Sequence, residues 1–186
     1  MEELLKLLKE DLSEWKTHEN TSKLKIYTKP DPRYGIDLLK AEFIFKDTSP
    51  EELQFLACEP EGRKKVQPTL GEARRFDIVS ENIDHFYFYE DLPAYLMTTN
   101  RDFCVKRIIM KNFKGYDYLC AGYSVEHFEC LERKGMIRGN ALNTSHVIES
   151  LPDGQVIMHI FSQFGLKVRK LVFCTQNCIL LFFPFS

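Results

Sequence analysis

The spacing of hydrophobic and polar positions changes character several times along the chain. Near the start, Leu4, Leu5, Leu8, Leu12 and Trp15 recur every three or four residues. That spacing predicts one apolar face on a first α-helix. Residues 23–29 instead alternate, with Leu24 and Ile26 set against Lys25 and Tyr27, as in a half-exposed strand. A turn signal, Asp31-Pro32 with Gly35, precedes a longer strand over 36–46. Ser49-Pro50-Glu51-Glu52 then reads as a helix start: Ser as the cap, Pro in the first turn, and Glu three residues after the cap. This helix turns Leu53, Leu56 and Ala57 inward. A second helical stretch around 61–65 is cut short by Pro68.

From Glu72 onward a period of two takes over, in runs at 73–79, 83–90, 102–110, 116–127, 136–149 and 155–162. Short turns such as Lys114-Gly115 and Pro152-Asp153-Gly154 separate several of them, which suits hairpins. Helices and strands are segregated rather than alternating, so the expected class is α+β with one antiparallel sheet. A long sheet with few helices must curve around a helix or enclose a cavity.

Two charged residues interrupt apolar strand faces. Alternation puts Arg107 on one face with Phe103, Val105 and Ile109, and Glu90 on one face with Phe86 and Phe88. If these strands are neighbours, Glu90 and Arg107 are expected to meet as a buried pair. A buried charge left alone is costly, so a partner or a ligand headgroup is required. A polar spot in an apolar pocket orients an amphipathic ligand. The alternative is an edge strand whose Arg107 stem packs while its head reaches water.

Composition narrows the choice. The 186 residues, 44% hydrophobic and 28% charged, suit one globular domain. A net charge of -2 and a pI near 6.2 give no basic excess, so nucleic acid is not an expected partner. The six cysteines include one tight pair, Cys174 and Cys178, with no His or Cys partner pair nearby at zinc-ligand spacing. They read as reduced intracellular thiols, and neither a metal nor a cofactor is expected. The stretch MEELLKLLKEDLSEW is too charged for a secretory signal. The uncharged tail 171–186 is shorter than the ~20 apolar residues of a spanning helix. A cytoplasmic monomer is the expectation. No nucleophile motif or nucleotide loop is found, so no enzyme is expected; His146 and His159 are the one histidine pair placed on neighbouring strands.

Asn100-Arg101-Asp102-Phe103, with Arg107 four residues beyond Phe103, resembles the N-R-D-F/Y-x-x-x-R segment of the START (StAR-related lipid transfer) family. Residues 34–43, Ser49-Pro50-Glu51-Glu52-Leu53, residues 61–68, and Lys134-Gly135-Met136-Ile137-Arg138-Gly139 are similar to further family segments in the same order. The resemblance spans roughly residues 10–172. It implies a helix-grip fold: an N-terminal helix, and a curved antiparallel sheet wrapped around a C-terminal lid helix and enclosing a hydrophobic cavity. It also implies a carrier or sensor that takes one lipid (a sterol, phospholipid or ceramide) and visits membrane surfaces transiently, without chemistry.

By the same resemblance, Glu90 and Arg107 bind the lipid head, with Phe88, Phe103 and Val105 lining the pocket. Lys111, Asn112, Phe113, Lys114 and Gly115 correspond to a gate loop. Three departures stand out. Val66-Gln67 replaces the family's Trp-Asp/Asn pair, and Val168 stands where Pro is common. After Val172 the tail FCTQNCILLFFPFS has no charged residue to form a polar helix face. The expected division is therefore a lipid-binding domain at 1–172 and a divergent tail at 173–186, with the lid helix truncated or divergent. The alternatives are a truncated START-like domain with a regulatory or interaction role, and an enzyme on a related cavity fold.

Overall fold

The computed structural model describes residues 1–91 and 99–165. The expected lid helix and divergent tail lie outside the described residues. An N-terminal helix α1 (Glu2–Lys9) and a 3₁₀ turn at Leu12–Glu14 lead into strands β1 (Lys16–Asn20), β2 (Leu24–Lys29) and β3 (Leu38–Phe45). Two short helices follow, α2 (Pro50–Cys58) and α3 (Pro60–Val66). The remainder is strand: β4 (Leu70–Ser80), β5 (Ile83–Glu90), β6 (Arg101–Phe113), β7 (Tyr116–Ser124), β8 (Ile137–Arg138), β9 (Asn140–Ser150) and β10 (Val156–Gly165).

All ten strands join one sheet in the order β1-β2-β3-β10-β9-β7-β6-β5-β4, antiparallel throughout apart from β8, which pairs in parallel with β6. The crossover that brings β10 beside β3 joins the two meanders. The α+β expectation is met.

Strand alternation sorts neighbouring residues to opposite faces. Leu119 and Val147 join Leu4 and Phe161, so α1 covers one face of the sheet. Their neighbours Tyr118 and Ile148 join Leu53, Phe43 and Met158, so α2 covers the other. A third cluster, Phe86, Phe88, Phe103, Val105 and Ala141, continues that second face toward β4.

Local signals explain the element ends. Ser49 caps α2 by accepting a hydrogen bond from the Glu52 amide at 3.1 Å, with Pro50 in the first turn. The first helix is shorter than the leucine spacing predicts. Glu10 takes an extended conformation, and the Asp11 side chain accepts from the Ser13 amide, capping a separate 3₁₀ turn. Trp15 is therefore buried outside the helix, and residues 16–20 form a strand that the pattern did not show. Lys114 and Gly115 both have positive φ, the pairing a two-residue hairpin turn requires between twisted strands.

Candidate functional site

A small cavity lies between the α2–α3 pair and the inner sheet face. Its volume is about 70 Å³. Leu56, Ala57, Val66, Phe86, Phe88, Val105, Met158 and Ile160 supply apolar wall, while Arg63, Gln67, Arg107 and His146 supply polar groups.

Arg107 is buried on this face, as alternation predicts, but its partner differs from the expected one. In the β5–β6 register Asp84 lies opposite Arg107, and Glu90 lies opposite Arg101, six residues further along β5. The Arg107 guanidinium donates to both Asp84 carboxylate oxygens, at 2.8 and 2.7 Å. Its third nitrogen donates to the Cys58 carbonyl at 2.7 Å, so one side chain fastens the end of α2 to the sheet. Such use of Arg at a helix C-terminus satisfies an orphan carbonyl.

Arg75 approaches Asp84 at 2.7 Å and reaches Glu59, the residue between α2 and α3, at 3.1 Å. Burial opposes ionisation of Asp84, yet Arg107 and Arg75 hold its pKa below the ordinary value. Burial likewise opposes the charged form of Arg107, but its hydrogen bonds to Asp84, together with the neighbouring Cys58 and Cys120 thiols and the Asp84 charge, hold its pKa above the ordinary value. Arg107 also lies over the Phe86 ring, 4.0 Å from its centroid.

Glu90 belongs to a second polar group. Gln67 donates to Glu90 at 2.7 Å and accepts from Arg63 at 2.8 Å. Arg63 is buried over Phe88, 4.5 Å from the ring centroid. Burial pushes the Glu90 pKa up to about 7, against the opposing pull of Arg63 and the Gln67 hydrogen bond. Burial also lowers that of Arg63 to about 10.

Of the residues singled out from sequence, Phe88, Val105 and Arg107 line the cavity. Phe103 stands behind them, stacked on Phe88 with centroids 4.9 Å apart. Glu90 is held off the cavity wall by Gln67. Lys111, Asn112 and Phe113 form the end of β6, and only Lys114-Gly115 is a turn. Phe113 packs toward the cluster beneath α1, and none of the five lines the cavity, so they do not form a loop over its mouth. His146 lines the cavity, but His159 projects from the opposite face of β10 toward Glu42, and the two histidines do not meet.

Sequence reasoning missed three members of the site. Asp84 shares the alternating face of Phe86 and Phe88, a signal that was available. Arg63 and Gln67 carry no such signal, because a two-turn helix has too little periodicity to show its buried face. The fold also gathers Cys58, Cys120 and His146, whose donor atoms all lie within 4.8 Å of one another, and Asp77, His85 and His127. Among the described residues, no helix is long and apolar enough to cross a membrane.

A large curved antiparallel sheet with few helices, covered on one face by α2 and α3 over an apolar cavity, is the architecture of the helix-grip class. The START domain model matches residues 1–170, and the chain belongs to the START family. Among solved structures it is similar to human StAR-related lipid transfer protein 5 (TM-score 0.82, 19% identity), over 98% of this chain and 85% of that one. It is also similar to human STARD10 (TM-score 0.81, 19% identity), over 97% of this chain and 72% of that one. A StAR-related lipid transfer protein from Xanthomonas axonopodis matches with a TM-score of 0.71 and 14% identity, over 91% and 92% of the two chains. No curated protein sequence gives a significant match.

Proposed function

We propose that this protein binds a single lipid between the α2–α3 pair and the inner sheet face and carries or senses it, without performing chemistry. The observation that carries the reading is an apolar cavity whose wall includes the buried Arg107, held from behind by Asp84, within a fold of the START family. Buried ion pairs rarely add stability over apolar side chains of similar size, so a role in ligand recognition accounts for this one. Asp84 already neutralises Arg107, and Glu90 and Gln67 face Arg63. A lipid with an uncharged polar head, such as a sterol or ceramide hydroxyl, suits this balance better than a phospholipid.

The cavity of about 70 Å³ is far below the ~300–1,000 Å³ of pockets that hold drug-sized ligands. Lipid uptake therefore expands it, and α2 and α3, the described part of the wall outside the sheet, are the elements that move. Exchange takes place in transient contact with a membrane surface, where the ligand passes from one apolar medium to another. The protein acts as a monomer in a reducing cytoplasmic setting, consistent with buried free thiols at Cys58, Cys104, Cys120 and Cys130.

The test is to express the chain, extract it with organic solvent, and identify bound lipid by native and denaturing mass spectrometry. The comparison variant is Asp84→Leu with Arg107→Leu, which removes the pair without stranding a charge. One stoichiometric lipid class, lost or changed in the double variant, is the expected result. A folded monomer that takes up no lipid, even from mixed liposomes, sinks the proposal.

A further inference from the structure

Cys120 and His146 face each other directly across the β7–β9 pair, on the face that α2 covers. Cys58, the last residue of α2, descends onto them, with its sulfur 3.6 Å from His146 Nε2. We propose that Cys58, Cys120 and His146 form a binding site for a thiophilic divalent cation of the Zn²⁺ type. This goes beyond lipid binding and does not depend on it.

The geometry fits the ion. With Zn–S near 2.3 Å and Zn–N near 2.0–2.1 Å, a tetrahedral centre sets sulfur and nitrogen about 3.6 Å apart. That is the separation found between Cys58 and His146. Gln54, one turn before Cys58, spans the same cluster. Its Nε2 donates to the Cys58 sulfur at 3.0 Å, and its Oε1 lies 3.0 Å from His146 Nε2. The amide oxygen is therefore in place as a fourth ligand.

All three ligating residues are buried, so access runs through the cavity they line. The charge balance also fits. Two thiolates neutralise the ion, while Asp84 neutralises the nearby Arg107. Loading releases a proton from each bound thiol, and the neutral His146 ring, whose Nε2 proton faces Gln54 Oε1 in the unloaded chain, changes tautomer to carry its proton on Nδ1. Neither the 61 residues between Cys58 and Cys120 nor the 25 between Cys120 and His146 resembles a zinc spacing. The site exists only because α2 folds over the sheet.

The other histidine cluster suits a metal less well. Asp77 Oδ2 lies 3.0 Å from His85 Nδ1 and 2.9 Å from His127 Nε2. His127 Nδ1, however, accepts the Glu129 amide at 3.2 Å. That bond leaves the ring proton on Nε2, the atom a metal would need, so this group is a hydrogen-bond array.

The experiment titrates the reduced, metal-stripped full chain with Co²⁺ and then Zn²⁺, in competition with a chromophoric chelator. One Co²⁺ per chain is expected, with an intense thiolate-to-cobalt charge-transfer band that Zn²⁺ displaces, and with a higher melting temperature. Cys58→Ser and Cys120→Ser should each weaken binding at least about tenfold and diminish the band. His146→Gln should weaken binding while keeping the band, and tests the site even if a cysteine variant folds poorly. Cys104→Ser, at a thiol beside Cys130 rather than in this cluster, should change neither. A folded chain that binds no Co²⁺, a spectrum without thiolate character, or a band that survives Cys58→Ser overturns the proposal.

Discussion

Arg107 and Asp84 lie directly opposite each other on β6 and β5 and share two buried hydrogen bonds, with Arg107 on the cavity wall and Asp84 behind it. The pair does structural work as well, because the third nitrogen of Arg107 holds the carbonyl that ends α2. Removing Asp84 strands the buried Arg107 guanidinium, whereas Asp84 without Arg107 still has Arg75.

Asp84→Ala should therefore cost about 3–5 kcal/mol, the usual penalty for an uncompensated buried charge. Replacing both residues with leucine should cost much less than the sum of the single changes, since neither charge remains. Urea unfolding of the two single variants and the double variant measures this directly. Strict additivity would show that the pair is not energetically coupled.

Glu90 gives the fold a pH dependence of definite sign. Its pKa rises from 4.5 to about 7 on folding, chiefly through burial, with Arg63 and Gln67 pulling the other way. Arg101 is its cross-strand neighbour. Below pH 4.5 the carboxyl is protonated in both states and has no effect. Between 4.5 and 7 the unfolded chain gives up the proton first, so stability falls as pH rises. Above about 7 the loss is complete, amounting to about 3 kcal/mol. Glu90→Gln should flatten the stability profile across that window and match the parent near pH 4.5. Chemical denaturation at a series of pH values provides the check, and an unchanged slope would mean that Glu90 is not the group responsible.

The strand half of the fold was legible because period-two alternation survives burial on both faces. The same alternation put Arg107 with Val105, and Phe88 with Phe86, on apolar strand faces; that these faces line a cavity came from the family resemblance. What it could not supply was register. Whether Arg107 meets Asp84 or Glu90 depends on a six-residue offset along β5, and only the β5–β6 pairing decides it. Residues 16–20 escaped notice because KTHEN carries no apolar alternation; its strand is held by hydrogen bonds to β2. The gate-loop expectation failed for a related reason. Lys111, Asn112 and Phe113 continue the β6 ladder up to a two-residue turn, leaving no loop to swing. Arg63, Gln67 and the Cys58–Cys120–His146 cluster depend on how two short helices sit over the sheet, which no local pattern encodes.

The start of α2 rests on a single side chain. Ser49 Oγ accepts the Glu52 amide at 3.1 Å, one of the amides that a helix N-terminus leaves without a partner. Ser49→Ala should lower stability by about 1 kcal/mol, and Ser49→Asp should restore most of it. Thermal melts of the three proteins decide the matter. If the alanine variant melts with the parent, this cap contributes nothing to stability.

The corner between α2 and α3 depends on Gly62. A β-carbon there would sit 2.0 Å from the Phe55 carbonyl oxygen and 2.9 Å from the Leu56 Cα, both of them backbone atoms that cannot swing aside. Gly62→Ala should therefore push α3 away from α2 and cost about 1–3 kcal/mol, the range for overpacking a tight contact. The displacement also reaches the site, because Arg63 on the same helix bonds Gln67 at its C-terminal end, which in turn holds Glu90. A purely local clash would lower the melting temperature and leave lipid uptake and the Glu90 pH profile as they were. The geometry instead predicts that all three change together, so melting, lipid extraction and pH-dependent unfolding of Gly62→Ala need to be measured side by side.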